Sequence, residues 1–283
     1  MYTEEQLQDD RRQRNMTIKK ANELIQKCRF QLTLVQNKII TYLVSQIHED
    51  DPEDKVYEFP IADFCRVCGI TTGGKNYIAL KRQIQALRDF SVWVRREDDK
   101  GKIKDELIGW IAYPEIEPQN GIIRLQLDKK MRPFFFHLKK NFTMIDTIYQ
   151  YHFRKSKYTS RLYEIFSSYH HRGDGSWTQH FQLSELRALT GTEHYPLWAD
   201  FRRFVLEPAV KEINEASDLN VSYEKRRKGR AVDGIDVTIS RKSNFETLML
   251  KDSLQNDLEA RQLSLFGIDF DMVEDDDNGQ DDP

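Results

Sequence analysis

Apolar and polar positions alternate along this chain in a pattern that occurs twice. The segment FPIADFCRVCG, from Phe59 to Gly69, is echoed by FQLSELRALTG, from Phe181 to Gly191. Phe59, Ile61, Phe64, Val67 and Gly69 match Phe181, Leu183, Leu186, Leu189 and Gly191 at a constant offset of 122, and Asp63 meets Glu185. Each echo predicts a short strand running into a short helix that stops at glycine, the residue best suited to a left-handed helix terminus. A second helix follows in each copy. Ile84, Asp89, Phe90 and Val92 then match Ile213, Asp218, Leu219 and Val221 at an offset of 129, so the later copy is seven residues longer.

The flanks agree as well. Leu34, Ile40, Leu43, Val44 and Ile47 form one apolar face at helical spacing, opened by the capping-box pattern Thr33-Leu34-Val35-Gln36. Tyr158, Leu162, Ile165, Phe166 and Tyr169 answer in the later copy. Strand-like segments follow: SVWVRR, KIKDELIGWIAY and GIIRLQL in the first, NVSYEKRR and GIDVTISR in the second. Helix, strand, helix, glycine turn, second helix and hairpin is the order of a winged helix, whose second helix reads DNA and whose hairpin is the wing. The predicted fold is α+β, two tandem winged-helix domains related by internal duplication and followed by a disordered acidic tail. The predicted boundaries are a charged arm at 1–21, a first domain at 22–136, a linker at 137–155, a second domain at 156–245 and a C-terminal tail at 246–283.

Charge locates the DNA-binding chemistry. The net charge is -3, but the segment Gly267–Pro283 holds eight acidic residues and no basic one, which leaves +5 on the rest. Lys225, Arg226, Arg227, Lys228 and Arg230 crowd the second wing around Gly229, a composition suited to phosphate contacts. The reading helix is placed between Tyr195 and Ala216, with Phe201, Phe204, Val205 and Ile213 inward and Arg202 and Arg203 facing the major groove, where arginine grips guanine bidentately. Pro208 predicts a kink or break in it. Lys157 and Arg161, on the first helix of this copy, are candidates for holding the flanking backbone. In the first copy, a helix from about Lys75 to Phe90 turns Tyr77, Leu80, Ile84 and Leu87 inward and Lys81, Arg82, Gln85 and Arg88 outward. Its hairpin, DDKGKIKDE, is nearly balanced in charge and is the weaker phosphate binder, open to use as a partner or dimer surface.

Several chemistries find no support. Cys65-Arg66-Val67-Cys68 has the spacing of half a zinc site without the second pair of ligands, and the repeat puts Arg187 and Thr190 at the equivalent places. No His-x-His cluster occurs, His170 and His171 being adjacent, and no tyrosine is followed three residues later by lysine, as a DNA-nicking initiator requires. A G-x-x-x-x-G-K-[ST] loop is absent. No enzyme activity, metal or cofactor is expected. With three cysteines, no apolar run of membrane length and no signal-like start, the expected location is the cytoplasm.

SKYTSRLYEIF from Ser156, LEPAVKEINEASDLNVSYEKRRKGRAVDGIDVTI from Leu206 and NELIQKCRFQLTLVQNKIITYL from Asn22 resemble the replication initiators of iteron-containing plasmids that replicate by a theta mechanism. The resemblance covers most of residues 22–241. It implies binding of direct repeats in double-stranded origin DNA as a monomer, melting of adjacent AT-rich DNA with the host replication initiator, recruitment of the host helicase, and repression of the protein's own gene as a dimer. It assigns repeat reading to Arg202, Arg203 and the Lys225–Arg230 wing, and dimer and secondary DNA contacts to the first copy. The alternative is a winged-helix transcriptional repressor without a replication role. Gln262-Leu263-Ser264-Leu265-Phe266 looks like the short motif by which bacterial replication proteins bind the sliding clamp. The other reading of this stretch is that Leu250, Leu254, Leu258 and Leu263 continue an amphipathic helix packed on the second domain.

Overall fold

The structure, a computed structural model, describes residues 3–70, 74–97, 101–169 and 175–264. Residues 98–100, His170 and His171, and Leu265 and Phe266 with the acidic segment after them lie outside that range.

The chain opens with helix α1 (Glu4–Arg14), strand β1 (Thr17–Ala21) and the short helix α2 (Asn22–Lys27). The first repeat unit then runs α3 (Leu34–Gln46), β2 (Tyr57–Pro60), α4 (Ile61–Cys68), α5 (Gly74–Asp89) and four strands, β3 (Ser91–Glu97), β4 (Ile103–Gly109), β5 (Ile111–Glu117) and β6 (Ile122–Leu127). Strand β7 (Phe142–Asp146) and helix α6 (Thr147–His152) lead to the second unit: α7 (Thr159–Tyr169), β8 (Trp177–Gln182), α8 (Leu183–Thr190), α9 (Trp198–Asp200), a π-helical stretch Phe201–Leu206, α10 (Glu207–Ala216), β9 (Leu219–Lys228) and β10 (Ala231–Arg241). A final helix, α11, spans Asn244–Ser264.

The duplication predicted from the two echoes is present in detail. Gly69 and Gly191 adopt nearly the same left-handed conformation, φ 63° and 61°, each closing a helix whose carbonyls are taken up by the next two backbone N–H groups. The Thr33–Gln36 capping box forms at α3, with both reciprocal hydrogen bonds made. Phe59 and Phe181 occupy equivalent strand positions, opposite Ile123 on β6 and Ile235 on β10.

The copies differ in their sheets. In the second, β8 pairs with β10 and β10 with β9, all antiparallel, giving a three-stranded wing sheet. In the first, β2 pairs with β6 and β6 with β5, while β3 and β4 form a separate hairpin. The continuous strand expected over KIKDELIGWIAY bends at Trp110, which is fully buried and meets the Phe30 ring edge-on at 4.9 Å. Pulling that indole into the interior turns the strand from one partner to another.

Three expected boundaries need correction. The segment expected as a linker, 137–155, holds β7 and α6, whose Ile145, Ile148, Tyr149 and Tyr151 are buried. The segment expected as an arm, 1–21, supplies α1 and β1, and β1 pairs antiparallel with β7 from Thr17↔Asp146 to Ala21↔Phe142. The two segments therefore complete each other. Helix α1 has little apolar surface and docks through polar groups: Asp10 pairs with Arg66 at 2.6 Å, and the Arg14 guanidinium donates to the carbonyls of Arg66 and Val67. Hydrophobic periodicity is blind to such a contact.

The third correction concerns the tail. Residues 244–264 are helical, and α11 returns to the first half of the molecule instead of resting on the second domain. Leu254 and Leu258 are buried, Glu259 grips Arg11 with two hydrogen bonds of 2.6 and 2.7 Å, and Lys251 pairs with Asp146 at 2.6 Å. Leu258 packs so closely on Gly69 that a Cβ there would sit 2.6 Å from its methyl carbon. Of the clamp-like motif, Gln262–Ser264 end this helix and Leu265–Phe266 fall outside the described residues.

One continuous cluster of buried apolar side chains runs through both units. Between them lies a buried charge cluster. Lys20 of β1 donates to both Glu164 oxygens at 2.8 and 2.9 Å, and Arg161 lies 3.7 Å from the same carboxylate. Phe30, Trp110 and Phe135 present their rings to the Lys20 ammonium at 5.4 to 5.9 Å. No helix among the described residues is long and apolar enough to cross a membrane.

Candidate nucleic-acid interface

Three side chains fix the reading helix of the second unit before any charge is considered. Glu212 of α10 accepts hydrogen bonds from the backbone N–H groups of Arg154, Lys155 and Ser156 at 2.7, 2.8 and 3.2 Å and from the Thr159 hydroxyl. A buried carboxylate thus sits on the N-terminal side of α7, where the helix dipole favours it. The Asn214 amide spans to the wing, donating to the Val221 carbonyl at 2.8 Å and accepting from the Val221 N–H at 2.6 Å. Lys242 donates to the Asn214 and Ser217 carbonyls at 2.6 and 2.7 Å, closing the C-terminal end of α10. These contacts tie the reading helix and wing to the domain core.

Within that helix Pro208 has the effect its chemistry demands. It offers no N–H, and its ring would crowd the Phe204 carbonyl, so the preceding turn widens into a π-helix in which the Glu207 N–H reaches back to Arg202. The extra residue in the turn changes which side chains face inward. Phe201, Val205 and Ile213 are buried as expected, but Phe204 is expelled to 46% exposure and stacks on Tyr195 at 5.7 Å. Arg202 and Arg203 are both exposed; Arg202 lies 4.0 Å from Glu207, and Arg203 lies over the Phe204 ring at 5.2 Å.

The wing's cations are divided by strand alternation. Lys225 and Arg227 project on one side of β9, Arg226 and Lys228 on the other. Arg226 is already committed, because it pairs with Asp236, whose other oxygen meets the His180 ring at 2.8 Å. His180 and Arg226 together hold the Asp236 carboxyl below its ordinary pKa. Lys225, Arg227, Lys228 and Arg230 are exposed and make no ion pair among the described residues. Lys225 shares with Trp198, Arg202, Tyr223 and Glu224 a cleft of about 410 Å³ between helix and wing. Trp198 and Tyr223, edge to face at 6.3 Å, were not singled out by charge or repeat matching. The signal for Trp198 was the aromatic stretch Tyr195-Pro196-Leu197-Trp198 ahead of the helix; Tyr223 stands just ahead of the basic run of β9.

Arg161 does not belong to this surface. It is 3% exposed, and its guanidinium donates to the carbonyls of Leu189, Ile25 and Cys28 at 3.0, 2.8 and 2.8 Å, with burial pushing its pKa down to about 10. The first unit uses the same device. Lys38 of α3 donates to the Cys68 carbonyl at 2.8 Å, and burial pushes its pKa down to about 8. In both units a cation on the first helix satisfies the carbonyl end of the second, so its charge is internal. Lys157, just ahead of α7, is exposed.

In the first unit α5 follows the expected pattern, with Leu80, Ile84 and Leu87 buried and Lys81, Arg82, Gln85 and Arg88 exposed, although Tyr77 is only half-buried. The β3–β4 hairpin spends its cations internally: Arg95 on Asp105 at 2.9 Å, Arg96 and Lys104 on Glu106 at 3.9 and 3.3 Å. Its outer face carries Trp93 directly opposite Leu107, 62% and 52% exposed. Cys65 and Cys68 are packing residues within α4, and burial pushes the Cys65 thiol up to about 12.

Residues 17–167 match the family model described as "Initiator Replication protein, WH1", and residues 182–239 match "Initiator Rep protein, WH2". An uncharacterised 27.6 kDa protein of Escherichia coli is 22% identical over 222 residues, covering 74% of this chain and 90% of that protein. Among solved structures, the Pi initiator protein in complex with iteron DNA superposes with a TM-score of 0.65 at 17% identity, over 82% of this chain and 99% of that one, a likeness of fold.

Proposed function

Because this chain belongs to the initiator replication protein family, we propose that it is a plasmid replication initiator that binds direct repeats, iterons, in double-stranded origin DNA. The observation that carries this reading is the second unit's surface, where Arg202 shares a cleft with Lys225 of the wing, Arg203 is exposed on the same helix, and Lys225, Arg227, Lys228 and Arg230 are exposed without ion-pair partners among the described residues. Unpaired cations at a hairpin tip favour phosphate, and arginines on the adjacent helix favour guanine edges. The iteron DNA named for the Pi structure supports the choice of ligand.

In this reading the second unit is the main repeat reader, with Lys157 near the flanking backbone. The first contributes secondary contacts through Lys81, Arg82 and Arg88 and meets a second copy of the chain. Melting of adjacent AT-rich DNA draws on protein–DNA contact and deformation energy with the host initiator, and the host helicase is then recruited. Dimers repress the protein's own gene. The Gln262–Phe266 segment engages the sliding clamp, for which α11 delivers its first three residues at a helix end.

Footprinting on the DNA flanking the gene tests the proposal. Protection of several direct repeats beside an AT-rich stretch is expected; protection of a lone inverted repeat only would replace initiation with transcriptional repression. For the clamp, equal binding by the full chain and by a Leu265→Ala/Phe266→Ala variant would remove that part.

A further inference from the structure

The reading helix brings apolar groups to the surface where its cations cluster. Leu197, the residue just ahead of its first turn, is 64% exposed, and Phe204 is 46% exposed. Neither is a loose end. The π turn forced by Pro208 holds Phe204 out, with Tyr195 stacked on one side at 5.7 Å and the Arg203 guanidinium over its ring at 5.2 Å. The Leu197 carbonyl accepts the Phe201 N–H at 3.1 Å, which fixes its backbone as the helix begins. Two large apolar side chains are thus held in water on the segment that carries Arg202 and Arg203: Phe204 against the Arg203 guanidinium, and Leu197 next to Trp198, which shares a cleft with Arg202 and the wing's Lys225.

Charge complementarity names the occupant of this face as duplex DNA, and the chemistry of the major groove narrows it further. Every base edge there offers hydrogen-bond donors or acceptors, and thymine alone adds an apolar group, its C5-methyl. We propose that Leu197 and Phe204 read thymine methyl groups at positions next to those met by Arg202 and Arg203. The recognised site then combines guanines with neighbouring thymines, and its specificity rests on apolar as well as hydrogen-bonded readout. This inference rests on the DNA-binding reading given above.

The test uses the full chain and a random-sequence duplex library. The duplex enriched by selection is remade with deoxyuridine in place of each thymine in turn, which removes one methyl and no hydrogen-bonding group. Affinity is expected to fall about four-fold at one or more positions, the equilibrium equivalent of one buried methyl group. Leu197→Ala or Phe204→Ala should bind thymine and uracil duplexes alike at those positions, while matching the wild-type affinity for the uracil duplex, which also shows that the variant is folded. An enriched duplex indifferent to every substitution overturns this inference alone, as does discrimination that survives in both variants. Failure to enrich any duplex overturns the DNA-binding reading and this inference with it.

Discussion

Removing the Glu164 carboxylate should damage this protein far more than removing its principal partner, Lys20. The two are 5% and 2% exposed, and Arg161, 3% exposed, lies 3.7 Å from the same carboxylate. Glu164→Gln strips one anion from two buried cations, and leaving buried charge uncompensated costs about 3–5 kcal/mol. Lys20→Met leaves Glu164 still paired with Arg161 and places an apolar side chain among Phe30, Trp110 and Phe135, so its cost should be at the low end of about 1.5–3 kcal/mol, the scale of one charge-assisted hydrogen bond. Adding Lys20→Met to Glu164→Gln should recover stability, because it removes one of the stranded cations. Urea unfolding followed by far-UV circular dichroism reads each cost as a shift in midpoint at constant slope. The reasoning fails if Lys20→Met costs as much as Glu164→Gln, or if the double variant loses the sum of the two. The cluster joins β1 to α7, so the same variants should loosen the packing between these two elements.

On DNA, Arg227→Ala should weaken binding to all sequences and lower the slope of log affinity against log salt by about one, whereas Arg226→Ala should move the slope less, because Asp236 already neutralises that charge; equal slopes would refute the division by strand face. Arg203→Ala should relax sequence preference, seen as a larger loss on a selected duplex than on random DNA. His152 is kept neutral, with its pKa pushed down to about 3 first by burial and then by Arg261 and Arg154. Since the unfolded chain takes up its proton near pH 6.5, stability should be retained above that value and fall as pH drops from about 6.5 towards 3, by at most about 1.4 kcal/mol per pH unit. His152→Phe should flatten that part of a stability–pH curve. Leu258→Ala should cost about 2–4 kcal/mol by opening a cavity against Gly69, measured by thermal or urea unfolding.

The paired helix–glycine echoes determined the duplicated winged-helix plan by themselves, because a left-handed helix stop and an apolar face are written locally. The capping box at Thr33, the inward set of α5 and the basic second wing were legible for the same reason. What tertiary structure alone decided depended on partners distant in sequence. Arg161 reads as a free surface cation until the carbonyls of Ile25, Cys28 and Leu189 are brought around it. Helix α1 and strand β7 read as arm and linker until Arg66 and β1 supply their contacts. Arg226 and Arg227 are indistinguishable in sequence, and only the register that sets Arg226 beside Asp236 separates a neutralised charge from an available one. Local pattern fixes elements because backbone and neighbouring side chains interact within a turn or two. Whether a charge is buried, paired or free is decided by groups that only folding brings near it.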